Sequence, residues 1–222
     1  MAYFTQDFID FFKELTLNNT KDWFDENRKR YEKIVKEPFE RFITDLVLAI
    51  QEFDPSIQIP PKKAIFRINR DIRFSNDKTP YKINRSAVLS RHNRKEQYPA
   101  YYLRIDANNI QIGGGVFNLS KDGLYKVREE IMYNEAQYLQ AATGDKFNQF
   151  FPEMLGAKNK ILKAPFKAAA EQTPILYNKQ FYYMANYSNK VILEDNLIPF
   201  IVEKLATAYP VNKFLQFALE EE

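Results

Sequence analysis

The chain has 222 residues, a formal net charge of +3 and 27% charged residues. That balance is ordinary for a folded globular unit and argues against long disorder. The absence of cysteine excludes disulfides, thiolate nucleophiles and cysteine-held metals. The single histidine, His92, excludes a histidine metal cluster, and no Gly-x-Ser-x-Gly elbow is present to pair a serine with it.

In chain order, residues 5–17 place Phe8, Ile9, Phe11, Phe12 and Leu15 at helical spacing behind Thr5, a capping residue type. Asn18 and Asn19 break the pattern, and Thr20 can cap a second helical stretch running to about Phe53. Pro38 interrupts that stretch, so a kink, or two helices meeting near Glu37, is expected. From Ala64 the texture becomes short strands: residues 64–68, 86–90, 100–106 and 109–117. Residues 106–109, Asp-Ala-Asn-Asn, read as a tight hairpin, which makes the last two strands antiparallel neighbours. Helix returns at Ser120, fragments between Thr143 and Pro174, and closes the chain over residues 194–219 with Pro210 inside. Residues 181–187 read as a further strand or turn.

Helices, then strands, then helices indicate an α+β fold: a mainly antiparallel central sheet flanked by N-terminal and C-terminal helices. The expected organisation is a single domain over residues 1–222. Its N-terminal helical part spans about 5–53, its sheet about 64–117 and its C-terminal helical part about 120–219. The 19 Phe and 14 Tyr are expected to fill the core. No apolar run approaches the roughly 18 residues of a membrane span, and no basic-then-apolar leader is visible at the start. The expected location is therefore the cytoplasm, with no membrane partner.

The basic character is local. Residues 62–95 hold eleven Lys or Arg against only Asp71 and Asp77, an asymmetry of the kind that flags an anionic partner. Within it, Arg67, Arg70 and Arg73 recur at intervals of three, and the residues 77–82 run Asp-Lys-Thr-Pro-Tyr-Lys follows. Guanidinium forks match phosphate and carboxylate geometry. Lys78 and Lys82 add point charges, while Thr79 and Tyr81 add hydroxyl donors. Asp71 and Asp77 could orient guanidinium groups or, in an enzyme, serve as acid–base carboxylates. The plain alternative is an ion-pair network pinning this segment to the N-terminal helices through residues such as Asp25 or Glu26. Gly113 and Gly114, in a three-glycine run, would let backbone approach a ligand, or would mark a bulge or close strand crossing. They fit no nucleotide-binding glycine pattern.

The run Arg67-x-x-Arg70-Asp71-x-Arg73-Phe74, with residues 77–82, resembles the signature of the domain of unknown function 2461 family. Trp23-Phe24, Asn27-Arg28-x-x-Tyr31 and residues 113–115 are similar to that family too. The resemblance implies a protein without an established activity. From the residues themselves, an anionic small molecule containing phosphate or carboxylate is the expected ligand. A nucleic acid, read through the basic stretch with Tyr98, Tyr101 and Tyr102, is the rival. No cofactor or oligomeric state is indicated.

Overall fold

The structure, a computed structural model, describes residues 2–220. The N-terminal part runs α1 (Gln6–Leu17), α2 (Lys21–Glu26), α3 (Arg28–Tyr31), a π-helical turn (Glu32–Lys36) and α4 (Glu37–Gln51). Thr20 caps α2, its hydroxyl accepting from the Trp23 amide at 3.3 Å. Pro38 sits in the first turn of α4, where a missing N–H costs nothing. The expected break therefore falls at the π-turn just before it. Phe8, Phe11 and Phe12 of α1 are fully buried with Phe39 and Phe42 of α4; their rings, with Phe4, form a chain of tilted and edge contacts.

A one-turn helix, α5 (Pro61–Ala64), leads into the sheet: β1 (Asn84–Leu89), β2 (Ala100–Asp106), β3 (Asn109–Val116) and β4 (Phe181–Ser188). All neighbours are antiparallel in the order β1-β2-β3-β4. The fold is α+β, as the element order indicated. The β2–β3 hairpin turns on Asp106, whose carboxylate accepts from the Asn108 and Asn109 amides at 2.8 and 3.0 Å. Residues 64–68 differ from expectation: they end a helical turn and then touch the sheet edge through a single bridge, Ile65 to Ala87, while the next residue, Asn69, bridges to Tyr81 across the loop base. Two consecutive prolines start the turn, and Pro61 suits a first helical position.

The remaining helices are α6 (Lys121–Tyr133), α7 (Glu135–Thr143), α8 (Asp145–Asn148), α9 (Phe166–Gln172) and α10 (Leu197–Leu219). Ser120 caps α6, accepting from the Gly123 amide at 3.0 Å. Helix α10 passes through Pro210 as one element, held by burial of Leu205, Ala208, Val211, Phe214 and Leu215. It packs on the sheet face that carries Tyr101, Leu103, Ile112 and Tyr183, all buried. The opposite face carries Val88, Tyr102, Gln111, Tyr182 and Met184, each only half-buried. Among the described residues no helix is long and apolar enough to cross a membrane.

Candidate anion-binding pocket

The motif segment is a long hairpin-like loop with a fixed base. The Lys82 amide donates to the Ile68 carbonyl at 2.8 Å, and the Arg70 amide to that of Pro80 at 2.9 Å. Asn19, the residue that breaks α1 from α2, clamps the base from below. Its side chain accepts from the Tyr81 amide at 3.1 Å and donates to the Tyr81 carbonyl at 2.9 Å. The Tyr81 ring is buried and stacks on Phe24, with centroids 3.9 Å apart. Tyr81 thus acts as the loop's anchor.

Beyond that base, the loop charges satisfy one another. Arg70 bonds Asp77 and Thr79, and Arg73 grips Asp71 at 2.7 and 2.9 Å. Lys78 donates to the Ile72 carbonyl at 3.0 Å. Asp77 also accepts from the Thr79 amide and hydroxyl at 2.9 and 2.8 Å. These bonds, the Thr79 amide first and Arg70 next, hold the Asp77 carboxyl down at about 2. Arg73 holds Asp71 below its ordinary value in the same way. Both carboxylates are ionised and engaged, so neither is poised to give or take a proton near neutral pH. Asp25 pairs with Lys21 and Arg28 within its own helical region, and no ion pair joins Asp25 or Glu26 to Arg67, Arg70 or Arg73 among the described residues.

Arg67 and Lys82 have a different setting. They line a cavity of about 370 Å³ together with Lys62, Arg85 and Arg94, opposed by one carboxylate, Glu40. Five elements converge here: Glu40 comes from α4, Lys62 from α5, Arg67 and Lys82 from the two strands of the loop base, and Arg85 from β1. Arg94 returns from the β1–β2 connection and donates to the Ile65 carbonyl at 2.8 Å. None of the five cations makes an ion pair among the described residues.

Arg85 is the sharpest case. It occupies a core-facing position of β1, alternating with buried Ala87 and Leu89, and is only 4% exposed. Among the described residues its guanidinium donates to the Phe66 carbonyl at 2.9 Å and its Nε has no partner. Its guanidinium lies over the Phe39 ring at 5.3 Å. Burial pushes its pKa down. Lys82 is pushed down too, by burial first and then by repulsion from Arg85, Arg67 and Arg94. Phe66 forms one wall, with the Arg94 guanidinium 4.6 Å and the Lys82 ammonium 5.1 Å from its ring centre.

Gly113 and Gly114 lie on β3, away from this cavity. Gly113 pairs with Tyr102 and Met184, and Gly114 with Tyr101 and Tyr183. A Cβ on Gly114 would overlap the Tyr183 hydroxyl, so that glycine is a close-packing position. Gly114 also lines a second cavity, of about 460 Å³, over the half-buried sheet face. Motif reading alone passed over Lys62, Arg85 and Arg94. The signal that held them was the wider charge excess over residues 62–95.

Residues 7–214 of the chain match the profile of a family described as "Conserved hypothetical protein (DUF2461)". The chain belongs to that family, as its motif residues implied. A comparison with curated proteins returned no match.

Proposed function

We propose that this member of the domain of unknown function 2461 family binds a small anion, a phosphorylated or carboxylated molecule, in the pocket formed by Lys62, Arg67, Lys82, Arg85 and Arg94. The observation that carries the reading is Arg85: a buried guanidinium that, among the described residues, has an idle Nε and no ion-paired carboxylate. A purely structural arginine in a core-facing strand position should be paired, because an uncompensated buried charge costs several kcal/mol. Here positive charge accumulates instead: Lys82, its pKa lowered first by burial, is lowered further by repulsion from Arg85, Arg67 and Arg94. An arriving phosphate or carboxylate would supply the missing acceptors as charge-assisted hydrogen bonds. Arg70, Asp71, Arg73, Asp77, Lys78 and Thr79 then serve as the self-paired rim of the loop that bears Arg67 and Lys82.

The test is thermal unfolding with inorganic phosphate, acetate, citrate and sulfate at constant ionic strength. A ligand at about a hundred times its dissociation constant adds roughly 2.7 kcal/mol, which should raise the midpoint by about 5–10 °C at this chain length. The rise should vanish in Lys82→Gln/Arg94→Gln. A flat response to every anion would defeat the proposal. The nucleic-acid reading predicts something else, a steep salt dependence near −0.9 per phosphate contacted on a duplex.

A further inference from the structure

The basic pocket does not end at its cations. Phe66 and Arg94 line both it and the 460 Å³ cavity over the half-buried sheet face, so the two spaces meet across that pair of side chains. The second cavity has a different chemistry. Its walls are aromatic and thioether groups: Tyr102, Phe117, Tyr182 and Met184. Phe117 is 58% exposed, and its ring meets Tyr182 at 5.3 Å between centroids.

Part of the floor is bare backbone of β3. Gly114 and Gly115 line the cavity, and Gly115 is the cross-strand partner of Ala100, which lines it too. Neither position can carry a side chain there. A Cβ on Gly114 would overlap the Tyr183 hydroxyl, and Gly115 has a φ of +102°. Bare backbone bordered by rings suits a flat molecule that stacks, and aromatic pairs favour such offset and edge arrangements. The volume falls within the usual range for small-ligand sites.

We infer that the ligand is an organic phosphate or carboxylate carrying a planar aromatic body, its anionic group among Arg67, Lys82, Arg85 and Arg94 and its ring over the glycine strip of β3. This inference rests on the anion-binding reading above and adds the chemistry of the rest of the ligand. Phe66 marks the junction, with the Arg94 and Lys82 charges against its ring. Glu96, which also borders the aromatic cavity, is occupied by the amides of His92 and Asn93 at 3.0 Å each and by the Asn93 side chain. It is therefore not a free carboxylate competing with the anion.

Calorimetric titration separates the two ideas. The probes are inorganic phosphate against 1-naphthyl phosphate, acetate against 1-naphthoate, and octyl phosphate as an apolar but non-planar control. The expected result is that at least one naphthyl compound binds ten-fold or more tightly than its ring-free counterpart, and more tightly than octyl phosphate. Phe117→Ala/Tyr182→Ala should erase most of that advantage while leaving the affinity for the simple anion unchanged. Phe117→Ala alone, at a mainly exposed position, should reduce it measurably if the double variant fails to fold. Equal affinities with and without the ring would overturn this inference and leave the anion pocket standing, as would octyl phosphate binding as well as naphthyl phosphate. No binding by any of these anions would remove the anion pocket and this inference together.

Discussion

Replacing Arg85 with methionine should make the protein more stable while depriving it of its anion response. Methionine is close in length, flexible and apolar, so it can follow the path of the guanidinium stem beside Phe39. Four contributions oppose the change or favour it. The Phe66 carbonyl loses a charged donor at 2.9 Å, a loss of about 1.5–3 kcal/mol. The contact with the Phe39 ring contributes about 0.5–1.5 kcal/mol more. Against these stands the desolvation of a cation only 4% exposed and without an ion-paired carboxylate among the described residues, worth several kcal/mol. Repulsion from Lys82 is relieved as well. The net gain is on the order of 1–2 kcal/mol, or a midpoint raised by roughly 2–8 °C for a domain of this length. Urea unfolding at low ionic strength, with and without phosphate, measures both halves. A variant destabilised by about 2 kcal/mol or more would mean that Arg85 is a structural tie. The reading of a charge held for a ligand would then be refuted, because only a functional charge is retained against stability.

Three further outcomes are expected. Asn19→Ala removes both bonds to the Tyr81 backbone, and stranding those part-buried groups should cost about 2–3 kcal/mol in denaturant unfolding; a loss under about 0.5 kcal/mol would show that the loop base is held otherwise. Gly115→Ala places a Cβ at φ +102° against the Phe181 carbonyl, so it should destabilise by about 2–4 kcal/mol, and an unchanged midpoint would contradict the strand register. The Asp77 carboxyl should titrate near 2 by carbon-13 NMR, below its unfolded value of about 3.9. A depressed folded pKa means its contribution is complete above the unfolded value and is lost as pH falls from there through about 2. Amide protection at Thr79 should fade over the same window, and a midpoint near 4 would deny the Asp77–Arg70–Thr79 cluster.

Much of the architecture was written locally. Phe8, Phe11, Phe12 and Leu15 at helical spacing specify the buried face of α1 whatever it meets, and Ser120 and Thr20 cap where short polar side chains satisfy first-turn amides. Asp106 turns the hairpin by bonding amides two and three residues on. Such interactions close within a few residues, so a linear reading captures them. Residues 64–68 escaped it, because an apolar run of that length is compatible with a strand, and the prolines before it start a turn instead.

The site was legible as a district and not as a set of atoms. A charge excess over residues 62–95 is a property of composition and survives any fold. Which cations pair and which stay unpaired depends on distances across the molecule. Arg70, Arg73, Asp71 and Asp77 are close in sequence and neutralise one another within their loop. Lys62, Arg67, Lys82, Arg85 and Arg94 are spread over thirty-odd positions, and only the meeting of α5, the loop base, β1 and the β1–β2 connection brings them to one cavity. Charge repulsion falls with distance in space and not in sequence. The sequence therefore determined that this protein carries an unbalanced positive region on an α+β frame. The tertiary structure decided where that charge is left unpaired: in a pocket beside an aromatic-walled sheet face.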